Sequence, residues 1–507
     1  MPVTRRLLLG LVLAAAPAAA QRKPAVPDLR GLDSVVAAMM AQTHIPGIAI
    51  GVIRDSQVVL ARGYGYRDLE QKLPVTARTL FAIGSNSKSF TATLMAMLVD
   101  EGKLDWQRPV RTWLPDFQLK DEYAAANMTP LDLVSHVSGL PRHDAMWYGR
   151  AATRSELYAR LKYLEPSTSF RNLWQYNNLM FLTAGVLTER LTGQSWEDQV
   201  RTRIFEPLGM TRANMSVVEM QRSDDYSFPY GYRGGQIVRH PFRNIDEIGP
   251  AGSINASVED MLKYVRFRMG QGKGPQPLVS AKQERLMQSP RSVVPVWTYQ
   301  DIPGLGPDTY GAGLAITGYR GHRVVMHGGG IDGFISQMAW VPEKQVGVVV
   351  LTNSTNDEGG GTNAANGLTY YLLDRMLGLA PLDWVARERQ TQFSADSAQK
   401  AQRAEELKNR TAGTTPSHPL DAYAGTYEHV AYGRLEVRRT PEGLEAVLDS
   451  HRLRLLHVHY DVFEFAPGHP MISGRVTFGM DGKGDISTVA APLEASVAPI
   501  IFTRKTP

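Results

Sequence analysis

LFAIGSNSKSFTATLMAMLVDEGKL spans Leu80 to Leu104. Ser85 stands just before an apolar run, and Lys88 follows it by three residues. That spacing places both side chains on one helix face, one turn apart. The run of Phe90, Leu94, Met95, Met97 and Leu98 buries the helix and withdraws Lys88 from bulk water. A serine hydroxyl is a weak nucleophile until a neighbour accepts its proton. A lysine held in a dry setting has a lowered pKa and becomes such a base. The helix N-terminus also favours developing negative charge. The same spacing recurs at Ser397 and Lys400, in a polar stretch where nothing desolvates the amine. Spacing alone therefore also fits a capped helix with a solvated lysine; the apolar context of Ser85 points to chemistry.

Two further stretches supply polar groups. NLWQYNNLMF (Asn172–Phe181) carries Tyr176 and Asn178. A phenol near a lysine can share its proton work, and an amide two residues on can bond a substrate carbonyl. A buried structural tyrosine is the competing reading. VVMHGGGIDGFISQMAWVP (Val324–Pro342) places His327 at the end of a β run, before Gly328, Gly329 and Gly330. Glycines let a ligand approach the backbone and free its amides to donate. Amides aimed at a developing oxyanion are the largest catalytic contribution in many acyl transfers. Ser253-Ile-Asn255 is a looser match of the same kind.

Ser-x-x-Lys, then Tyr-x-Asn, then a basic residue with glycine on a late strand resembles the serine β-lactamase and penicillin-binding-protein family, in its class C-like branch. That branch includes esterases, D-stereospecific peptidases and carboxypeptidases. LVSHVSGLPRH (Leu133–His143), PLGMTRANM (Pro207–Met215) and GPAGSINASVEDMLKY (Gly249–Tyr264) resemble the same family. The resemblance spans Leu32 to Leu379. It implies Ser85 as acylated nucleophile, Lys88 taking or orienting its proton, and Tyr176 as general base that returns the proton to the leaving group. It implies Asn178 holding a substrate amide, oxyanion donors at the amides of Ser85 and Gly330, with Gly329 beside them, and His327 where β-lactamases present a lysine. Histidine there is shorter and often neutral, so it would grip a penicillin carboxylate weakly. An esterase or D-peptidase is thus favoured over an efficient β-lactamase.

The implied fold has two lobes: an antiparallel sheet flanked by helices, and an all-α lobe, with the site in the cleft between. The order of elements agrees. Leu32 to Gln42 has helical spacing, and Gly47–Ile53 and Val58–Gly63 are β runs joined by the turn Arg54-Asp55-Ser56-Gln57. A helix-rich middle follows, to about Met269. Strands return at Tyr310–Thr317, Arg323–Met326, Ser336–Val341 and Val346–Thr352. Early and late strands with helices between predict one sheet built from both ends. Short alternating strands after Leu420 predict an all-β module, a barrel (lipocalin-like) or sandwich; it is similar to the small barrel-like domains that some family members carry. The domains read as a signal peptide at 1–20, the hydrolase at 27–385, a polar linker with some helical character at 386–418 and the β module at 419–507.

The N-terminus has Arg5 and Arg6, an apolar run from Leu7 and an A-x-A site at Ala18–Ala20. This reads as a secretory signal, with twin arginines admitting that export route, and a periplasmic or secreted location. Pro17 interrupts the short apolar run, which argues against a stable membrane anchor. The chain of 507 residues carries a net charge of +5 and no cysteine. Losing Arg5 and Arg6 brings the charge to about +3, too weak to argue for nucleic acid. Without cysteine there is no disulfide and no thiolate metal site. No cofactor and no metal are expected; His457 and His459, at strand period, read as a surface pair. The expected partner is a small-molecule or peptide substrate, and the β module either caps the cleft or mediates assembly. An α/β-hydrolase is disfavoured because no Gly-x-Ser-x-Gly elbow occurs. The remaining alternative is a non-catalytic or penicillin-binding cell-wall binder on the same fold.

Overall fold

The computed structural model describes residues 29–270, 277–295, 304–356, 364–469 and 471–505. The expected signal peptide lies outside the described residues. The early hairpin forms as expected. Strands Gly47–Arg54 and Gln57–Asp68 pair antiparallel, and Asp55 and Ser56 turn between them at φ 49 and 65. Two positive φ values give the tight turn whose twist matches the paired strands.

The strand Gly47–Arg54 also pairs with Val346–Thr352, so the two ends of the catalytic chain meet at the centre of a nine-stranded sheet. Beyond Val346–Thr352 come Phe334–Val341, His322–Ile331, Ala315–Tyr319, Thr309–Tyr310 and Ser292–Val293. The central strands are buried on both faces, which explains their unbroken Val/Ile/Leu runs. Helices Leu32–Thr43 and Ala364–Leu377 join one apolar core with residues of one sheet face. Helices Ser87–Asp100 and Val258–Met269 join the other core, which continues into the helical lobe.

One expectation needs correction. The run Tyr310–Thr317 is two strands, broken where the Gly311 amide donates to the Leu314 carbonyl and Gly313 takes φ 71. The polar segment 386–418 is helical as far as Lys408, within Trp384–Lys408. Its residues are strong helix formers, and Asp383 caps it by accepting from the Ala386 amide. It docks by Trp384 and Glu388 and reaches the β module through Arg403 on Glu464 at 2.7 Å.

The β module is a closed barrel of eight strands, from Gly425–His429 to Ile500–Arg504. The first and last strands pair, which removes the open edges. His457 and His459 do not stand in simple alternation, because a bulge falls between them. His457 donates to the Tyr460 carbonyl, and His459 accepts from the Thr411 amide.

Candidate active site

Ser85 sits in a single 3-10 turn, Gly84–Asn86, that leads into the helix Ser87–Asp100. The turn is bonded from several sides. Ser87 Oγ donates to the Gly84 carbonyl and accepts from the Ile254 amide. Asn86 Nδ2 donates to Ser336 Oγ, which donates to the Ile83 carbonyl. The glycine run of strand His322–Ile331 lies against this turn. A Cβ on Gly329 would fall 1.9 Å from the Ile83 oxygen, and one on Gly84 would fall 2.7 Å from the Gly330 nitrogen. Only glycine permits that approach, and it brings the Gly330 amide beside the Ser85 turn.

Lys88 is fully buried. Its Nζ lies 2.9 Å from Ser85 Oγ, 2.7 Å from Asn178 Oδ1 and 2.7 Å from the Ala251 carbonyl. Burial holds its pKa well below the ordinary lysine value, and the nearby Arg142 charge adds to this, against Asp144. A neutral amine has two N–H bonds and one lone pair. Nζ donates toward all three oxygens; once uncharged, it can keep its two N–H bonds on the carbonyl-type oxygens and turn its lone pair to the serine hydroxyl. On the other side, Tyr176 donates to Ser85 Oγ at 2.6 Å. Burial pushes its phenol up to about 12, against the pull of Arg142 and the Ser85 bond. In this state Tyr176 stands as a hydrogen-bond donor to Ser85 Oγ. The general-base role that the resemblance implied for Tyr176 therefore does not describe the resting site.

Two other expectations change. Asn178 was expected to hold a substrate amide. Its oxygen instead accepts from Lys88, and its Nδ2 donates to Asp144 Oδ1 at 2.9 Å. His327 was expected to grip a carboxylate weakly. It is buried, its Nδ1 donates to the Gly328 carbonyl at 2.6 Å, and its Nε2 accepts from Tyr310 at 2.8 Å. Burial and the nearby Lys88 push its pKa down to about 3. A neutral ring with both nitrogens engaged is no anion clamp.

The sequence reading passed over several residues here. Arg142 packs over the Tyr176 ring at 4.8 Å and bonds Asp144 at 2.6 Å. Asp144 thus anchors a line of bonds through Asn178 and Lys88 to Ser85. His136, at φ 59, accepts from the Asn177 amide, and its carbonyl accepts from the Gln175 amide. It thereby grips the segment that carries Tyr176, with the two rings 4.4 Å apart. His136, Arg142 and the start of Asp144's loop fall in or beside the quoted stretch Leu133–His143, so the signal was present without an assigned role.

A family model described as beta-lactamase matches residues 32–370. The chain belongs to the beta-lactamase family. Like the family's named relatives it is a hydrolase, and its serine-centred site makes it a serine hydrolase. A second family model, a domain of unknown function (DUF3471), matches residues 409–504, the barrel region. The chain is 30% identical over 434 residues to an unguisins hydrolase of Aspergillus campestris, covering 80% of this chain and 78% of that one. It is 32% identical over 337 residues to a D-aminopeptidase of Gluconobacter oxydans, covering 64% of this chain and 58% of that one. Among solved structures, the octameric penicillin-binding protein homologue from Pyrococcus abyssi shares the fold, with a TM-score of 0.60 and 24% identity. That likeness covers 94% of this chain and all of the other.

Proposed function

We propose that the protein hydrolyses esters or amides through an acyl-enzyme on Ser85. The carrying observation is the placement of Ser85 Oγ between the buried Lys88 amine at 2.9 Å and the Tyr176 phenol at 2.6 Å. The Ser85 proton passes to Lys88 as Oγ bonds the substrate carbonyl carbon. The oxyanion faces the amides of Ser85 and Gly330. On collapse the bond to the leaving group breaks, and Tyr176 supplies its proton. The tyrosinate recovers a proton from the Lys88 ammonium. Water then repeats the sequence in reverse and frees the acid.

The substrate reading favours a D-amino-acid amide or peptide, or a small ester, over a β-lactam. The named relatives support the first, and the neutral, engaged His327 weighs against tight binding of a penicillin carboxylate. The N-terminal Arg5, Arg6 and apolar run support export, which N-terminal sequencing of the mature protein would test by finding Gln21 first. The activity is tested with a fluorescent phosphonate and with p-nitrophenyl esters, D-aminoacyl anilides and a chromogenic cephalosporin. Labelling and turnover should vanish in Ser85→Ala. Labelling that survives the substitution rules out Ser85 as nucleophile, and no labelling of either form favours a binder on this fold.

A further inference from the structure

Ser85 lies on the border of two cavities. One, of about 460 Å³, is bordered by Tyr176 and walled by Trp174, Tyr310, Met326 and Tyr370. The other, of about 120 Å³, is bordered by Asn178 and walled by Trp147, Tyr148, Ile331 and Met471. Arg142 and Gly330 line both sides, Asp144 and Asp332 add carboxylates to the smaller, and Tyr176 lines only the larger. The leaving group must meet the proton donor, and Tyr176 borders the larger cavity but not the smaller. The larger cavity therefore takes the leaving group, and the smaller takes the acyl group. The smaller has room for roughly four water-sized groups.

One wall of the small cavity comes from another domain. Met471 belongs to the barrel, on the connection between strands Val462–Phe465 and Arg475–Met480. A line of hydrogen bonds ties this connection to the cleft. The amides of Met471 and Ile472 donate to His469 Nδ1 at 3.2 and 2.9 Å. His469 Nε2 donates to His451 Nδ1 at 2.9 Å, and His451 Nε2 donates to the Tyr148 carbonyl at 2.9 Å. Ser450 Oγ adds a bond to the Gly149 carbonyl at 2.8 Å. The contact is close: a Cβ on Gly149, which holds φ 63, would fall 2.0 Å from His451 Nε2. Tyr148 is fixed on its other side by its hydroxyl on Asp332, which Arg243 also bonds at 2.8 Å.

We propose that Met471 is a specificity-determining residue that closes the acyl side of the cleft, so that the enzyme selects a short acyl group on a larger leaving group. The proposal rests on the acyl-enzyme reading of Ser85. The barrel is then part of the substrate site and sets its size limit. An acyl chain longer than the cavity must displace Met471, and that displacement strains the bonds through His469 and His451 to Tyr148. Truncation to alanine removes roughly three heavy atoms from the wall, and in such pockets each methylene changes selectivity by about tenfold or more.

The test is kcat/KM for p-nitrophenyl acetate, butyrate, hexanoate and octanoate, which hold the leaving group constant. In the unaltered enzyme, the octanoate-to-acetate ratio should be below about one tenth. Met471→Ala should raise that ratio about tenfold, and His469→Ala, which frees the connection, should raise it by a smaller factor. The ratio does not depend on the fraction of enzyme that is folded. An unaltered enzyme with no preference for short acyl groups overturns the proposal. So does a ratio that stays within about twofold in both variants. If no ester is turned over and phosphonate fails to label Ser85, the nucleophile assignment fails, and this proposal falls with it.

Discussion

Lys88 Nζ lies 2.9 Å from Ser85 Oγ and also donates to Asn178 Oδ1 and the Ala251 carbonyl. Burial holds the lysine pKa well below its ordinary value, which favours the uncharged amine. An uncharged amine so placed has a lone pair for the hydroxyl. The sign of the pH dependence follows. Protonation removes the lone pair, so kcat/KM should fall as pH drops through the lowered Lys88 pKa and level off above it. Tyr176, raised to about 12, stays protonated across that plateau. The measurement is a pH profile for a non-ionising ester. An acid limb centred near the ordinary lysine value of about 10.4 would exclude Lys88 as the base.

The two groups on Ser85 form one proton network, so their losses should not add. Lys88→Ala and Tyr176→Phe should each lower kcat by about 10²- to 10⁴-fold. The double variant should lose little more than the worse single one. Steady-state rates on one ester, with phosphonate labelling as a check on Ser85, decide this. Losses that multiply would mean that the two residues act in separate steps.

Adjacent glycines on one strand should behave differently. A Cβ at Gly329 would fall 1.9 Å from the Ile83 carbonyl oxygen, a backbone atom of the nucleophile's turn. A Cβ at Gly328 would meet the tip of the Gln337 side chain at 2.7 Å, which can rotate away. Gly329→Ala should push the strand off the turn and cost about a hundredfold in kcat/KM, the order expected for a misplacement near 1 Å. Gly328→Ala should cost far less. Equal losses in the two variants would remove the close approach as the reason for this glycine run.

How much of this could be read beforehand follows the range of the interactions. Ser85 and Lys88 are one helix turn apart, so local periodicity brings them together, and the apolar run beside them gives away the burial. Strand Val346–Thr352 was legible to the residue because a doubly buried strand is continuously apolar. Tyr176 and His327 stood out in their own stretches, but their place at Ser85 came from a family pattern, since nothing local says that they meet it. Asp144 and Arg142 act through contacts across the fold, and a charged pair in a loop looks like any surface pair. The helix Trp384–Lys408 was legible only as helical character in a linker, because only its first turns are buried and it carries no apolar stripe to mark its extent. Met471 was invisible for the strongest reason: Tyr148, which lines the same small cavity, lies 323 positions earlier and in another domain.

The His469–His451 link works only with both rings neutral, because each ring accepts at one nitrogen and donates at the other. A proton on either ring places a donor against a donor. Burial pushes His451 down, with Arg243 and Arg150 acting in the same direction and the Tyr148 bond and Asp332 against it. Burial, with His451 and Arg243, pushes His469 down to about 4, again against Asp332. Both folded values lie below the ordinary histidine value of about 6.5. Below that value the unfolded chain binds protons that the folded chain refuses. The link's contribution is therefore complete above about pH 6.5 and is lost as pH falls toward 4. The unfolding midpoint should drop over that window, and His469→Ala should flatten the drop. In the unaltered enzyme the octanoate-to-acetate ratio should rise over the same window, as the connection that carries Met471 is released. Parallel stability curves for the two proteins between pH 6.5 and 4 would show that the histidine pair does not hold the barrel to the cleft.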